Sequence, residues 1–550
     1  PGDANDQRLE SAFVYNATNA TLSCGGNGTA AQPIIQNVAN FEVRYMLQDN
    51  STSGDSKIKR VLAADVPATD WSKVQGIEVC LVLYGNEAID MPSPSYYTDC
   101  DDKTKDMTVG SPTKTIFFFS VPVLLGTLFQ QIYNMADTII VGQFLGEDAL
   151  AAVGATGSTV YLVIGFASGL TQGCGILVSQ AFGGHRLNEL KKVVGTALLL
   201  TVVFSIILTI PTVSFSRQIL LALHTPSNVL LYAHEYLRVI FGGILCTMAY
   251  NIAASILRSL GDSRTPLYFL ILSSFLNIVL DIFFIATLHM GTAGAAWATV
   301  LSQGISALLC FWYMFHNYNN LRLSIRDLYP DPYRILCMIQ SGIPMALNQT
   351  VTAFGIMILQ SGINQFGSSV MAAYTAASKL ESLVMQPMIA LGSGISTYCA
   401  QNIGARKTKR IFVGVRSTML LSLGAAILGM ALYGIVSKAI LRIFLSDPSP
   451  EMVHYALQYL YTSVWFLLFL AWIFLFRNAL VGLGNGLITI IGGVAELLCR
   501  FLCIHFLLQP FGFWCICLTN PITWIVACSL FCGFYFRWEH QQKHCSKSAR

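Results

Sequence analysis

The sequence predicts an all-α integral membrane protein with twelve transmembrane helices in two six-helix bundles, preceded by a small β-rich N-terminal segment. Three observations support this fold class. The composition is too apolar for a soluble protein, apolar stretches of membrane-spanning length recur from Thr115 onward, and motifs of the first half return in the second half.

The composition separates two parts of the chain. Of the 550 residues, 54% are hydrophobic and 11% are charged, whereas about 25% of the residues in a soluble globular protein are charged. Residues 1–106 contain 15 Asp and Glu against 8 Lys and Arg, while residues 107–550 contain 14 against 25. This asymmetry predicts two modules. Met107 opens a short polar lead before an apolar run, so we expect the natural start of the membrane part there.

The membrane part contains twelve apolar stretches, each of about 20 residues, the length that crosses a hydrocarbon core. Their centres lie near Gln130, Ile164, Leu200, Cys246, Leu276, Ile305, Ala346, Leu383, Gly424, Phe469, Leu498 and Trp524. Lys and Arg cluster in every second connection, as at 406–410, and in the C-terminal tail. Because cytoplasmic loops carry an excess of Lys and Arg, both ends of the membrane part are expected in the cytoplasm.

The two halves of the membrane part resemble one another. Ser179–Arg186 is similar to Ala400–Lys407, and Leu260–Asp262 is similar to Leu483–Asn485, with offsets of 221 to 223 residues. Parallel repeats are typical of transporters that rock two bundles around a central site. The sequence therefore predicts bundles at 107–325 and 326–540 and a cytoplasmic tail at 541–550.

Two carboxylates lie inside apolar stretches, Asp137 in the first and Asp281 in the fifth. A charged side chain at the centre of a bilayer costs about 2.5–3.5 kcal/mol on insertion scales, so such residues usually mark ion or proton pathways. Asn277 precedes Asp281 by four residues, which places an amide and a carboxylate on one helix face. Two alternatives remain: Asp137 is solvated at the outer end of its span, or the Asn277 and Asp281 pair only fastens two helices.

Further polar residues are candidates for an internal cavity. Tyr133 and Asn134 lie within a turn of Asp137, and Glu381 is an acid in the eighth span, where it either attracts cationic substrate or packs helices together. Glu496 lies four residues before Arg500, a spacing that favours a mutual ion pair. Arg258 is interpreted as a charged cap at a cytoplasmic helix end.

These residues belong to motifs that resemble the multidrug and toxic compound extrusion (MATE) family over 107–540. The motifs are Gln130–Gly142, Ala181–Gly184, Leu257–Asp262, Asn277–Asp281 and Gly294–Thr299. The resemblance implies a secondary antiporter that exports cationic or amphipathic drugs or metabolites across the bacterial inner membrane in exchange for H⁺ or Na⁺. It also implies ion coupling through Asp137, Asn277, Asp281 and Thr299, with any Na⁺ at the first three.

The resemblance further implies a monomer in the lipid bilayer that needs no cofactor and no nucleic acid. The sequence contains no nucleophile with a base, no phosphate loop and no metal cluster, so an enzyme is not expected. The seventh-span stretch Leu347–Ala353 lacks the acid of the NorM-like branch, and the chain looks more like the DinF-like branch. Two alternatives are a lipid-linked saccharide flippase, which would need more basic residues inside its spans, and a pilus-assembly membrane protein.

The first 106 residues contain alternating apolar and polar runs typical of strands. Asp70–Leu83 and Tyr97–Cys100 resemble the C-terminal part of PilW-type minor pilins. Two of Cys24, Cys80 and Cys100 could form a disulfide if this segment were exported. Because such a domain belongs outside the inner membrane, we expect it to be a fusion rather than a working part of the transporter.

Overall fold

The computed structural model describes residues 106–548, apart from 224, 319–320, 322, 325–326, 328 and 445–448, and describes six strands before residue 106. Two compact units are present, Pro1–Lys105 and Asp106–Arg550. The possible disulfide among Cys24, Cys80 and Cys100 lies outside the described side chains, as do Arg322 and Arg326.

The first unit contains two three-stranded antiparallel sheets with the orders β1-β2-β3 and β5-β4-β6. The strands are β1 Ser11–Asn16, β2 Thr21–Gly26, β3 Gln32–Gln36, β4 Val38–Asp49, β5 Lys57–Leu62 and β6 Val74–Leu83. In the second sheet, the register pairs Val43 with Val79 and Tyr45 with Ile77. The relation of this unit to pilins stays a prediction.

The second unit is helical, and its first half contains eight helices among the described residues. They are α1 Pro112–Leu145, α2 Glu147–Gly183, α3 Leu187–Ser214, α4 Ser216–Ala222, α5 Ser227–Gly242, α6 Ile244–Ser259, α7 Arg264–Ile282 and α8 Gly291–Asn317. A π-helical turn, Phe283–Thr287, extends α7.

The second half repeats this order. Its described helices are α9 Pro332–Ile363, α10 Ser368–Gly404, α11 Thr408–Phe444, α12 Pro450–Ser463, α13 Leu467–Gly482, α14 Gly486–Leu502, α15 Leu508–Phe511 and α16 Phe513–Ser548. The fourth span is interrupted in both halves, between α5 and α6 and between α12 and α13. A π-helical turn also extends α14, at Cys503–Leu507. The shared irregularities agree with the repeat in the sequence.

Ten helices in the described residues are long and apolar enough to cross a membrane, or eleven if the bent pair α5 and α6 is one span. This measure supports ten or eleven of the twelve predicted spans and does not confirm the twelfth. The missing stretch, centred near Leu383, lies in α10, which has 37 residues. This helix is less apolar because Ser378, Glu381, Ser382 and Ser393 line an internal cavity rather than facing lipid.

Small residues bring the two halves close together where α2 crosses α9. A Cβ atom at Gly169 would overlap the backbone of Ala346, and one at Gly173 would overlap the backbone of Gly342. Such small-residue contacts allow helix backbones to approach closely in membranes. Glycine at residues 169 and 173 is thus a condition of this packing.

The halves also meet where α2 and α10 end. The Gln180 side-chain amide donates to the Gly482 carbonyl at 3.3 Å, and the Gln401 side-chain amide donates to the Ser259 carbonyl at 2.7 Å. Gly183 and Gly404 allow this contact, since a Cβ atom at either would overlap the opposite backbone. We call this contact the junction.

Candidate functional site

Two buried carboxylates from different helices meet inside the first half. Asp137 on α1 is 9% exposed, and Asp281 on α7 is fully buried. Their carboxyl groups lie close enough to interact electrostatically, although no hydrogen bond joins them in the described structure. Two adjacent carboxylates repel one another unless they share a proton or a cation.

The amide of Asn277 lies beside this pair, one helical turn before Asp281. Its nitrogen donates to the Thr299 hydroxyl on α8 at 3.4 Å, and that hydroxyl donates to the Ala295 carbonyl at 3.2 Å. The amide oxygen of Asn277 has no hydrogen-bond partner among the described residues. The structure thus brings Asp137, Asn277, Asp281 and Thr299 together.

Four buried oxygens of this group have no hydrogen-bond partner in the described part of the chain. They are Oδ1 of Asp137, Oδ1 of Asn277 and both carboxyl oxygens of Asp281. A buried polar atom without a partner costs about 1–3 kcal/mol. Oxygens from side chains on two helices fit a proton or Na⁺. Among the described residues, no cluster of three His, Cys, Asp or Glu side chains is suited to another metal.

Two tyrosines and a glutamine surround the acids. The Tyr133 hydroxyl interacts with Gln303 and lies near both carboxylates, and Tyr236 on α5 lies near the same two groups. Thr247 donates to the Gln303 amide oxygen. The sequence analysis named Tyr133 as a candidate but not Tyr236 or Gln303. The one sequence signal for these residues was Gln303, a polar side chain within an apolar span.

Asn134 is not brought into this group. Its side chain is exposed on α1, and it is not among the residues that line the cavity described next. The helix turns its amide away from the interior.

A cavity of about 830 Å³ lies between the two halves. Its walls come from α1, α2, α6 and α7 on one side and from α9, α10, α13, α14 and α16 on the other. Gln130 on α1 lines it, two turns before Asp137 on the same helix. The acid pair itself is not part of the cavity wall.

Glu381 lines this cavity from the second half. Its Oε2 accepts from the Tyr459 hydroxyl at 2.7 Å, and the Asn520 amide donates to that hydroxyl at 2.9 Å. Oε1 of Glu381 is buried without a partner among the described groups. The partners Tyr459 and Asn520 lie 78 and 139 residues away along the chain, so helical spacing could not have found them.

Three arginines line the same cavity: Arg258, Arg477 and Arg500. Arg500 forms the predicted ion pair with Glu496, at 3.6 Å, which confirms that prediction. Arg258 lies in the last turn of α6, at the helix end where the sequence placed it, and it also lines the cavity.

The MatE family model matches residues 122–283 and 344–510, one match in each half. Probable multidrug resistance protein YpnP of Bacillus subtilis is 30% identical over 65% of this chain and 80% of its own length. Multidrug export protein MepA of Staphylococcus aureus is 23% identical over 68% and 82%.

Solved structures agree in fold. A crystal structure of MATE in complex with MaL6 has a TM-score of 0.75 at 23% identity and covers 80% of this chain and 99% of that chain. The outward-facing conformation of a multidrug resistance MATE family transporter has a TM-score of 0.73 at 22% identity, covering 80% and 98%.

Proposed function

Because this chain belongs to the MatE family of multi-pass membrane transporters, we propose that it is a secondary antiporter that exports amphipathic drugs or metabolites in exchange for H⁺ or Na⁺. The observation that carries the proposal is the contact between Asp137 and Asp281, with four buried oxygens left unpartnered around it. No resident cofactor is needed, because ion movement supplies the driving force.

The coupling ion is proposed to bind at Asp137, Asn277 and Asp281, with the Thr299 hydroxyl fixing the Asn277 amide. Binding of H⁺ or Na⁺ removes the repulsion between the two carboxylates and satisfies the free oxygens. Helix α1 carries both Asp137 and the cavity-lining residues Pro122 and Gln130. A shift of α1 on ion binding would therefore change the cavity that holds substrate.

The closed junction supports alternating access, since the cavity is sealed where α2 and α10 end. With both ends of the membrane part in the cytoplasm, as the Lys and Arg distribution favours, this closed end is cytoplasmic and the cavity faces outward. We take α10 as a twelfth span in this topology, because at 1.5 Å per residue its 37 residues are long enough to cross.

Assignment to the DinF-like branch rests on α9, which contains no Asp or Glu from Pro332 to Ile363. Ion coupling is accordingly placed in the first half alone. Glu381 is proposed to act on substrate in the cavity and not on the coupling ion. The pilin-like residues 1–106 have no role in this cycle.

The experiment that tests this function is drug export from cells expressing Asp137→Asn or Asp281→Asn protein at wild-type levels. Glu147→Gln is the matched control. It removes an exposed acid in the first turn of α2, away from the coupling site. We expect the first two variants to lose export and the control to keep it. Full resistance with either Asp variant would rule out this coupling site.

A flippase for lipid-linked saccharides remains the second candidate, and one observation favours it. Three arginines line the cavity, as a pyrophosphate substrate would require. No described residue favours a pilus-assembly role for the membrane part.

A further inference from the structure

The charged residues that line the cavity are three arginines and two glutamates. The arginines are Arg258, Arg477 and Arg500, and the acids are Glu381 and Glu496. A cavity with this lining has an excess of positive charge when all five groups are ionised. That balance is unsuited to a substrate recognised through a cationic group.

Each acid contacts one protein group, although Oε1 of Glu381 has no partner among the described residues. Glu496 pairs with Arg500 at 3.6 Å, and Glu381 accepts the Tyr459 hydroxyl at 2.7 Å. The pair formed by Glu496 and Arg500 is neutral as a unit. Arg258 and Arg477 are therefore the cations left to act on a ligand.

Neither of these two guanidinium groups has a carboxylate within 4.0 Å or a hydrogen-bond acceptor among the described residues. Arg477 contacts the Phe474 ring, with its guanidinium carbon 5.0 Å from the ring centroid. Both side chains are only partly buried and reach the cavity. An arginine inside a membrane span is costly, so one without a protein partner is a functional candidate by default.

The surroundings of Arg477 suit an oxyanion. A recess of about 50 Å³ adjoins the cavity, and Gln172, Asn348, Gln349 and Asn478 line it together with Arg477. Asn348 and Asn478 already donate to backbone carbonyls, whereas no hydrogen bond of the Gln172 or Gln349 side chain occurs among the described residues. The recess thus offers a guanidinium and two free amides, and no carboxylate.

Both halves contribute to this region near the closed end of the cavity. Arg258 precedes Ser259, whose carbonyl accepts Gln401 at the junction. Arg477 lies five residues before Gly482, whose carbonyl accepts Gln180, a rise of about 7.5 Å along α13. Gln172 comes from the first half and Gln349 from the second.

We propose that the cavity binds an amphipathic substrate through an anionic group, a carboxylate or phosphate, held by Arg477 with Gln172 and Gln349, while Arg258 supplies a second positive charge to the same cavity wall. Arginine recognises both groups through paired N–H donors. The aromatic and apolar residues that line the rest of the cavity, such as Tyr161, Phe474 and Trp524, receive the hydrophobic part. This inference rests on the proposed export function and replaces the cationic substrate class with an anionic one.

The test is equilibrium binding to the full-length protein in lipid nanodiscs, without an ion gradient. Two fluorescent ligands of the same ring system are compared, dansylglycine with a carboxylate and dansylcadaverine with an amine. We expect dansylglycine to bind more tightly, and Arg477→Gln and Arg258→Gln to weaken it about tenfold or more, the size of one charged hydrogen bond. Arg416→Gln, which removes a charge from an arginine side chain that is 70% exposed and outside the cavity, is the matched control.

Arg477→Lys distinguishes loss of charge from misfolding. Because lysine keeps the positive charge, this variant should recover part of the affinity for dansylglycine. Displacement of dansylglycine by 1-naphthyl phosphate would assign a small soluble anion, and displacement by farnesyl diphosphate alone would assign a lipid diphosphate headgroup. Tighter binding of dansylcadaverine, or dansylglycine binding unchanged in Arg477→Gln, would overturn the proposal.

Failure of the anionic substrate class can be distinguished from failure of the proposed export function. If proteoliposomes show ion-driven transport of dansylcadaverine but dansylglycine does not bind, the anionic class is wrong and the antiporter stands. If dansylglycine binds through Arg477 but no ion gradient drives transport of either compound, the antiporter assignment fails instead.

Discussion

Gln180 and Gln401 make reciprocal hydrogen bonds across the junction between the two halves. They occupy equivalent positions in the repeat, and each donates to the other half, Gln180 to Gly482 and Gln401 to Ser259. The acceptors are also equivalent, at the ends of α13 and α6. The duplicated sequence has therefore produced a symmetric closure of one end of the cavity.

Replacing Gly404 with Ala tests this closure. A Cβ atom there would overlap the Gln180 carbonyl oxygen, so the two halves could not close as they do here. We expect export to fall by about tenfold or more, since a clash with backbone costs on the order of 1–3 kcal/mol. Gly424→Ala is the control, because no atom lies within 4 Å of its added Cβ. Equal export by both variants at equal expression would show that the junction is not needed.

Tyr133→Phe and Tyr236→Phe test the ring of hydroxyls around the acids. Each removes one hydroxyl near Asp137 and Asp281 and keeps the ring volume. We expect the concentration of coupling ion that gives half-maximal transport to rise several-fold, in line with about 0.5–1.5 kcal/mol for one hydrogen bond. Tyr333→Phe, at a side chain 73% exposed, should leave it unchanged. An unchanged ion dependence in both ring variants would remove these hydroxyls from the site.

Tyr459→Phe tests the support of Glu381. The change removes the donor to Oε2 and leaves a buried carboxylate with neither oxygen partnered in the described structure. We expect a loss of about 1–3 kcal/mol in the free energy of unfolding, seen as a lower melting temperature of the purified protein in detergent. Glu381→Gln in the Tyr459→Phe background should recover most of it, because a neutral amide costs less to bury. A melting temperature equal to wild type for Tyr459→Phe alone would contradict this account.

Arg410→Ala tests how the start of α1 is held. The Arg410 guanidinium donates to the carbonyls of Val109 and Gly110, both at 3.1 Å, and Met107 donates to Gln401 at 2.8 Å. Without Arg410, amide hydrogen exchange at 107–112 should become faster while α2 keeps its protection. Arg416→Ala serves as the control, and the same exchange in both variants would show that Arg410 does not hold this segment.

The sequence predicted the parts of the site that lie on one helix. Asn277 with Asp281, and Glu496 with Arg500, are four residues apart, and helical spacing is enough to place them together. It could not predict that Tyr236 and Gln303 surround the acids, or that Tyr459 reaches Glu381, because these contacts join helices distant in sequence. The apolar span count in the structure leaves out α10 for a related reason: several of its polar residues line a cavity and lower its hydropathy.

Arg258 gives the clearest case of a missed role. A basic residue near a helix end is normally a cap, and the sequence offered no reason to prefer another position. Only the packing of the two halves places its side chain, with Arg477, in the wall of one cavity.

The central claim is that the Asp137 and Asp281 pair couples ion entry to export. The most direct measurement is transport of a fluorescent substrate into proteoliposomes with H⁺ and Na⁺ gradients imposed separately, comparing wild type with Asp281→Asn. We predict that one of the two gradients drives uptake by the wild type and that neither drives uptake by Asp281→Asn protein that still binds substrate. Gradient-driven uptake at the wild-type rate by Asp281→Asn would contradict the account.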